Sequence, residues 1–263
     1  MESNKKGSVN KSYLFGTFRE INPSFFNRLS NAINKLQQSD ILFVEQRSSP
    51  TEKLRPGDKI IWNSEKWKTI LTKDQEEVFT AFLNKAEDTS YYKLSAILLS
   101  LTMARLYFVN FCETDCGAND ELMDTYIEKF AGKKVIYSLD SNQNTFPNKT
   151  AEKLIIPQDS QYASYGIHYM KSMLDNNLSD CAITSAYKKF DIDYKLNTEL
   201  NEKSADYLLL INRNNSWISI LDKAFSFNNC FVVVGFKHLF YKKGLIQKLR
   251  NLGYDVTPIP VML

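Results

Sequence analysis

Short apolar runs that end in turn signals alternate along the chain with longer stretches in which apolar residues recur every three or four positions. The first pattern predicts buried strands and the second predicts helices with one buried face. YLFGTF (13–18), ILFVE (41–45), KKVIYSLD (133–140), DYLLLINRN (206–214) and CFVVVGFKH (230–238) read as strands. Phe25, Phe26, Leu29, Ile33 and Leu36 carry helical spacing, with Pro23 and Ser24 placed where a helix begins. Residues 70–131 form a helical middle in which Val78, Phe82, Leu94, Ile97, Leu98, Leu101 and Leu106 share that period, followed by Leu122, Tyr126, Ile127 and Phe130. Gly132 suits the stop of that last helix. A further helical section spans 162–200, and Gly244 to Leu252 forms a final helix. QRSSPTEKLRPGD and 141–160 are polar, Pro-containing loops.

Helices and buried strands alternate without tight hairpin turns, which predicts an α/β or mixed α+β fold: a mixed sheet covered by helices, with a helical middle insertion. No linker divides the 263 residues, so the expectation is one domain with a disordered tail at 1–11. YLFGTFREINPSFFNRL and FVVVGFKHLFYKKGLIQKL echo one another. Each has an apolar strand, a Gly, a basic or imidazole side chain three residues later, then a helix. Two such pseudo-repeated units would present Arg19 and His238 at equivalent strand ends.

Composition narrows the partners. With 33 basic and 30 acidic side chains scattered along the chain, nothing forms the clustered basic face that nucleic acid requires. The longest apolar run, LSAILLSLTMARLYFVNF, is interrupted by Ser, Thr, Arg105 and Asn110, and reads as a buried helix rather than a membrane span. The N-terminus has no apolar leader, so the cytoplasm is the expected compartment. Cys112, Cys116, Cys181 and Cys230 do not form a disulfide framework in a chain this long and are expected as free thiols. His168, in YGIHYM, is expected to be a structural residue buried on a helix.

The chemistry concentrates at strand ends, where open α/β sheets place their sites. Gly235-x-x-His238 follows four apolar residues, and its glycine permits close approach of backbone to a ligand. Glu45 closes ILFV, and a carboxylate ending a buried strand needs a partner, a metal or water. Arg213 follows LLLI in the same manner, and Arg19 completes a mixed-charge set.

Together, SYLFGTFREINPSFF, DILFVEQRS, LMDTYIEKFAGKKVIYSLDSNQNTF, INRNNSW and FVVVGFKHLFYKKGLIQKLRNLGYDVTPI resemble the TraB/GumN family, which includes the TIKI-type metalloproteases. The resemblance covers about half the chain, whereas 50–120 and 150–200 are generic. It implies a strand-end Glu and two G-x-x-H motifs that bind a divalent metal and support peptide-bond hydrolysis. Glu45 matches the Glu, and Gly235 with His238 matches the second motif. Arg213 and Asn214 match an Arg-Asn pair, and Asp140 and Gln143 match an acidic residue followed by Gln. The first motif departs from the pattern, because Arg19 stands where the family has histidine. A guanidinium offers no lone pair and repels a cation, so a zinc, manganese or cobalt ion on Glu45 and His238 would lack a ligand and face a like charge.

Two functions follow from the resemblance. One is a hydrolase of peptide or related amide and ester bonds. It would work with a metal, or through Glu45 and His238 as acid and base with Arg19 and Arg213 clamping an anionic group. Asn214, Asp140 and Gln143 would then contact substrate. The alternative is a degenerate family member that binds a peptide or small anion without turnover. A purely structural role would be favoured by a site region filled with side chains.

Overall fold

The computed structural model describes residues 1–5, 9–46, 61–112, 121–140, 158–202, 204 and 207–262. In chain order the elements are β1 (Glu2–Lys5), β2 (Ser12–Thr17), α1 (Ser30–Gln38), β3 (Ile41–Val44), α2 (Ser64–Lys68), α3 (Lys73–Ala86), α4 (Ala96–Tyr107), α5 (Met123–Phe130), β4 (Val135–Ser138), α6 (Asp159–Leu174), α7 (Ala182–Lys188), α8 (Asn212–Phe225), β5 (Cys230–Gly235), α9 (Leu245–Asn251) and β6 (Tyr254–Thr257). They group into two compact units, one of Met1–Ser48, Asp120–Ile156 and Asp193–Leu263, the other of Ser49–Asn119 and Pro157–Ile192.

The first unit is built on a six-stranded sheet in the order β4-β3-β5-β2-β1-β6. β4, β3, β5 and β2 run parallel, while β1 is antiparallel to both of its neighbours, β2 and β6. Parallel strands buried on both faces read as unbroken apolar runs, and CFVVV, ILFV and YLF meet that requirement. On one face Leu14, Phe43, Val232 and Val234 share a core with Trp217 and Leu221 of α8 and Leu245 and Leu249 of α9. On the other, Phe15 stacks on Phe231 and meets Phe26 edge-on, and Phe26 meets Phe130 of α5. The mixed α/β class is therefore as expected, and the two echoing units lie side by side as β2 and β5.

Two local expectations fail in this unit, and one strand is additional. The N-terminal tail is not free where it is described: Glu2–Lys5 form a strand held between β2 and β6. β6, whose alternating burial gives a weak four-residue signal, was not foreseen. More consequentially, the run read as a strand at 206–214 is helical from Tyr207: a wide π-type turn to Ile211 passes directly into α8. Leu210, Asn214, Trp217, Leu221 and Ala224 are buried at spacings of four and three, so the apolar run is the first turn of a longer helical stripe.

The second unit is helical. Thr72 caps α3 reciprocally with Gln75, and Trp67 packs between Trp62 and Phe79. Cys112 is not a free thiol: it is disulfide-bonded to Cys181, 69 residues on. Cys230 is free and buried in the first unit, and Cys116 lies outside the described residues. His168 is exposed on α6 rather than buried, with Nε2 at 2.8 Å from an Asp180 carboxylate oxygen. The helical section expected to reach 200 ends at Lys188, and Phe190 takes a left-handed conformation (φ 57°). Among the described residues, no helix is long and apolar enough to cross a membrane.

Candidate functional site

The C-terminal ends of the four parallel strands line one edge of the sheet. Glu45 follows β3, Asp140 follows β4, Arg19 follows β2, and His238 lies in the tight turn Phe236–Leu239 after β5. Arg213 and Asn214 reach the same place from the first turn of α8. Six of the seven site residues expected from sequence thus converge in the first unit. Gln143, the seventh, lies outside the described residues.

Glu45 is the hub and is 4% exposed. Its Oε2 accepts from Arg213 Nη2 at 2.5 Å and from Arg19 Nη2 at 3.2 Å. Its Oε1 accepts from the Gly235 N–H and lies 3.7 Å from His238 Nε2. The glycine has a specific reason to be there: a Cβ at 235 would sit 3.1 Å from Glu45 Oε1, crowding the carboxylate off the backbone. At Gly16 a Cβ would come within 2.8 Å of Phe236, so the first glycine lets the two strand exits pack together. The expectation that these glycines admit a ligand becomes a close approach between parts of the chain itself.

Arg213 joins three groups. Its Nη2 donates to both Glu45 and Asp140 at 2.5 Å, Nε donates to Asp140 at 3.3 Å, and Nη1 lies 3.0 Å from His238 Nε2. A guanidinium only donates, so His238 Nε2 must accept, and the ring proton is on Nδ1. Nδ1–H then donates to Asn214 Oδ1 at 2.8 Å, while Asn214 Nδ2 donates to the His238 carbonyl at 3.0 Å. The pair Arg213-Asn214 fixes one tautomer from both sides.

Electrostatics follow from burial and from these contacts. Burial pushes the His238 imidazole down to about 3, against the pull of Glu45, so the ring is neutral. Burial alone would raise Glu45, but the guanidiniums, Arg213 foremost, outweigh it and hold the carboxyl well below the usual range. Arg19 and Arg213 stay protonated, since their carboxylate partners more than offset the cost of burying them.

Three participants were not foreseen. Asp124, in the first turn of α5, accepts from Arg19 Nε at 3.0 Å, and burial raises its carboxyl despite that partner. Trp217 donates Nε1–H to Asp140 at 2.8 Å and stacks under the Arg213 guanidinium 4.6 Å from its ring centre. It also lies 4.5 Å from the His238 ring. The third participant is the Gly235 N–H. Asp124 carries no sequence signal, because an acidic residue in a first turn is commonplace. Trp217 lies four residues after Arg213, a helical neighbour hidden by the strand reading.

The side chains as arranged do not fit the divalent metal that the resemblance implies. The His238 Nε2 lone pair is directed at Arg213, and both Glu45 oxygens accept from N–H donors. Arg19 offers no lone pair. Among the described residues, no group of three or more His, Cys, Asp or Glu side chains could hold a metal ion.

No curated protein and no solved structure matches the chain. The family model described as the TraB/PrgY/gumN family matches residues 3–258, nearly the whole length and every strand end that carries the site. The chain belongs to the TraB/PrgY/gumN family.

Proposed function

We propose that this protein is a divergent family member that recognises peptide groups at the Arg19–Arg213–Asp140 edge of this site without hydrolysing them. The observation that carries the reading is the arrangement of His238: its lone pair is engaged by Arg213 and its basicity is lowered by burial. Glu45, held ionised by its guanidiniums, is an equally weak base. Neither group is poised to take a proton from water near neutral pH.

What remains is a mosaic of donors and acceptors. Arg19 (39% exposed) and Arg213 (24% exposed) alternate with the carboxylates of Asp140 and Asp124. Three carboxylates face two guanidiniums, so the site has no surplus positive charge with which to attract a bare anion. Alternating N–H donors and carboxylate acceptors match the C=O and N–H of a peptide backbone instead.

One feature favours a second reading, a metal-free hydrolase. His238 is held in the tautomer that presents Nε2 as an acceptor, the form a general base requires. A substrate that drew Arg213 away would expose it.

Calorimetric titration with a set of neutral, acidic and basic short peptides, with chromatography of the peptides afterwards, tests both readings. The recognition reading expects binding of intact peptides, strongest for neutral ones, and loss of binding in Arg19→Gln. Cleavage that vanishes in His238→Gln supports the hydrolase, and failure of every peptide to bind contradicts recognition. The cytoplasmic location stays a proposal from sequence, and the Cys112–Cys181 bond weighs against it, because cytosolic thiol buffers keep such pairs reduced.

A further inference from the structure

We infer that Arg19 is a built-in cation, serving Glu45 and Asp124 as a bound metal ion would, and that Asp124 is the positioning residue that fixes it. Arg19 Nη2 donates to Glu45 at 3.2 Å and its Nε donates to Asp124 at 3.0 Å. One guanidinium therefore spans two carboxylates brought together from different elements, the end of β3 and the first turn of α5.

Each carboxylate has a different dependence on it. Glu45 keeps Arg213 and the Gly235 N–H whatever happens to Arg19. Asp124 has less: its Oδ1 is buried with no side-chain partner among the described residues, so apart from its own backbone N–H its charge is balanced through Oδ2 and Arg19. Without a cation between them, two buried acids would repel one another. Arginine, where the resemblance implies a histidine, offers no ligand and supplies the charge in the same step. Asp124 is the group that makes the exchange workable.

The inference holds whatever ligand the site takes, and its test involves no peptide, so its failure would leave the recognition reading standing. Thermal unfolding would be followed for the full chain with and without millimolar Mn²⁺, and separately with methylguanidinium. The wild-type Tm is expected to be indifferent to both. Arg19→Ala is expected to unfold about 5 °C lower, since the pair is partly exposed, and to recover most of that loss with methylguanidinium but not with Mn²⁺, which would find only two carboxylates there. Arg19→Ala combined with Asp124→Asn removes the uncompensated acid. It is expected to be more stable than Arg19→Ala alone and to respond to neither cation.

The inference is overturned if Arg19→Ala matches wild type or ignores methylguanidinium, or if wild type responds as strongly as the variant. It is equally overturned if the double variant is no more stable than the single one, or still responds in full. Should Arg19→Ala not fold, Arg19→Gln takes its place in the same comparison.

Discussion

His238 is held as a neutral ring with its Nδ1–H on Asn214 and its Nε2 against Arg213. Its folded-state value of about 3 lies far below the 6.5 of an exposed imidazole, so between those pH values the unfolded chain binds a proton that the folded chain does not. Stability contributed by the neutral ring is fully present above about pH 6.5 and is lost as the pH falls toward 3. Glu45, also depressed, adds a loss in the same direction below its ordinary value of 4.5. Denaturant unfolding from pH 7 to 4 should therefore show a steady decline, and His238→Gln should flatten it above pH 5; an unchanged slope would contradict a buried neutral ring. Gly235→Ala should cost about 1–3 kcal/mol by pushing Glu45 off the backbone N–H, read from the same unfolding curves. Glu45 was legible because it closes an apolar run, and Arg19 and His238 because each stands three residues after the glycine that ends one. Asp124 was not, because a carboxylate in a helix's first turn carries no mark of a distant partner.

At the scale of elements, the sheet's strands could be read because burial on both faces leaves unbroken apolar sequence. The same rule misled at 206–214, where a short apolar run was the start of a helical stripe and not a strand. Periodicity cannot separate the two within so few residues. The difference matters for the site. A strand would send Arg213 and Asn214 to opposite faces, whereas the first turn of α8 lets both reach His238. It also brings Trp217, one turn on, under the Arg213 guanidinium. Trp217→Phe keeps an aromatic face but removes the Nε1–H bond to Asp140 together with part of a fully buried indole. It should cost about 1–3 kcal/mol by leaving a carboxylate lone pair unmet, with a smaller loss expected in an Asp140→Asn background. Equal costs in both backgrounds would mean that the hydrogen bond is not what Trp217 contributes.

For the whole molecule, the resemblance seen in about half the sequence extends to residues 3–258, and the segments that read as generic fall largely in the helical second unit. The cysteines read as free thiols, but Cys112 is bonded to Cys181, a pairing between residues 69 apart that no local pattern reveals. Removing it with reductant, or by Cys181→Ser, should lower stability by about 2–4 kcal/mol. Alkylation of acid-quenched cells should find Cys112 and Cys181 protected until reduction; free thiols at both would restore the cytoplasmic expectation. The central claim is that guanidiniums occupy the place where the family resemblance implies a metal. Elemental analysis of the purified protein after dialysis against zinc, manganese or cobalt tests it most directly. The account predicts no stoichiometric metal in the wild type and no difference from Glu45→Ala or His238→Ala. Near-stoichiometric metal in the wild type, lost in both variants, would contradict it.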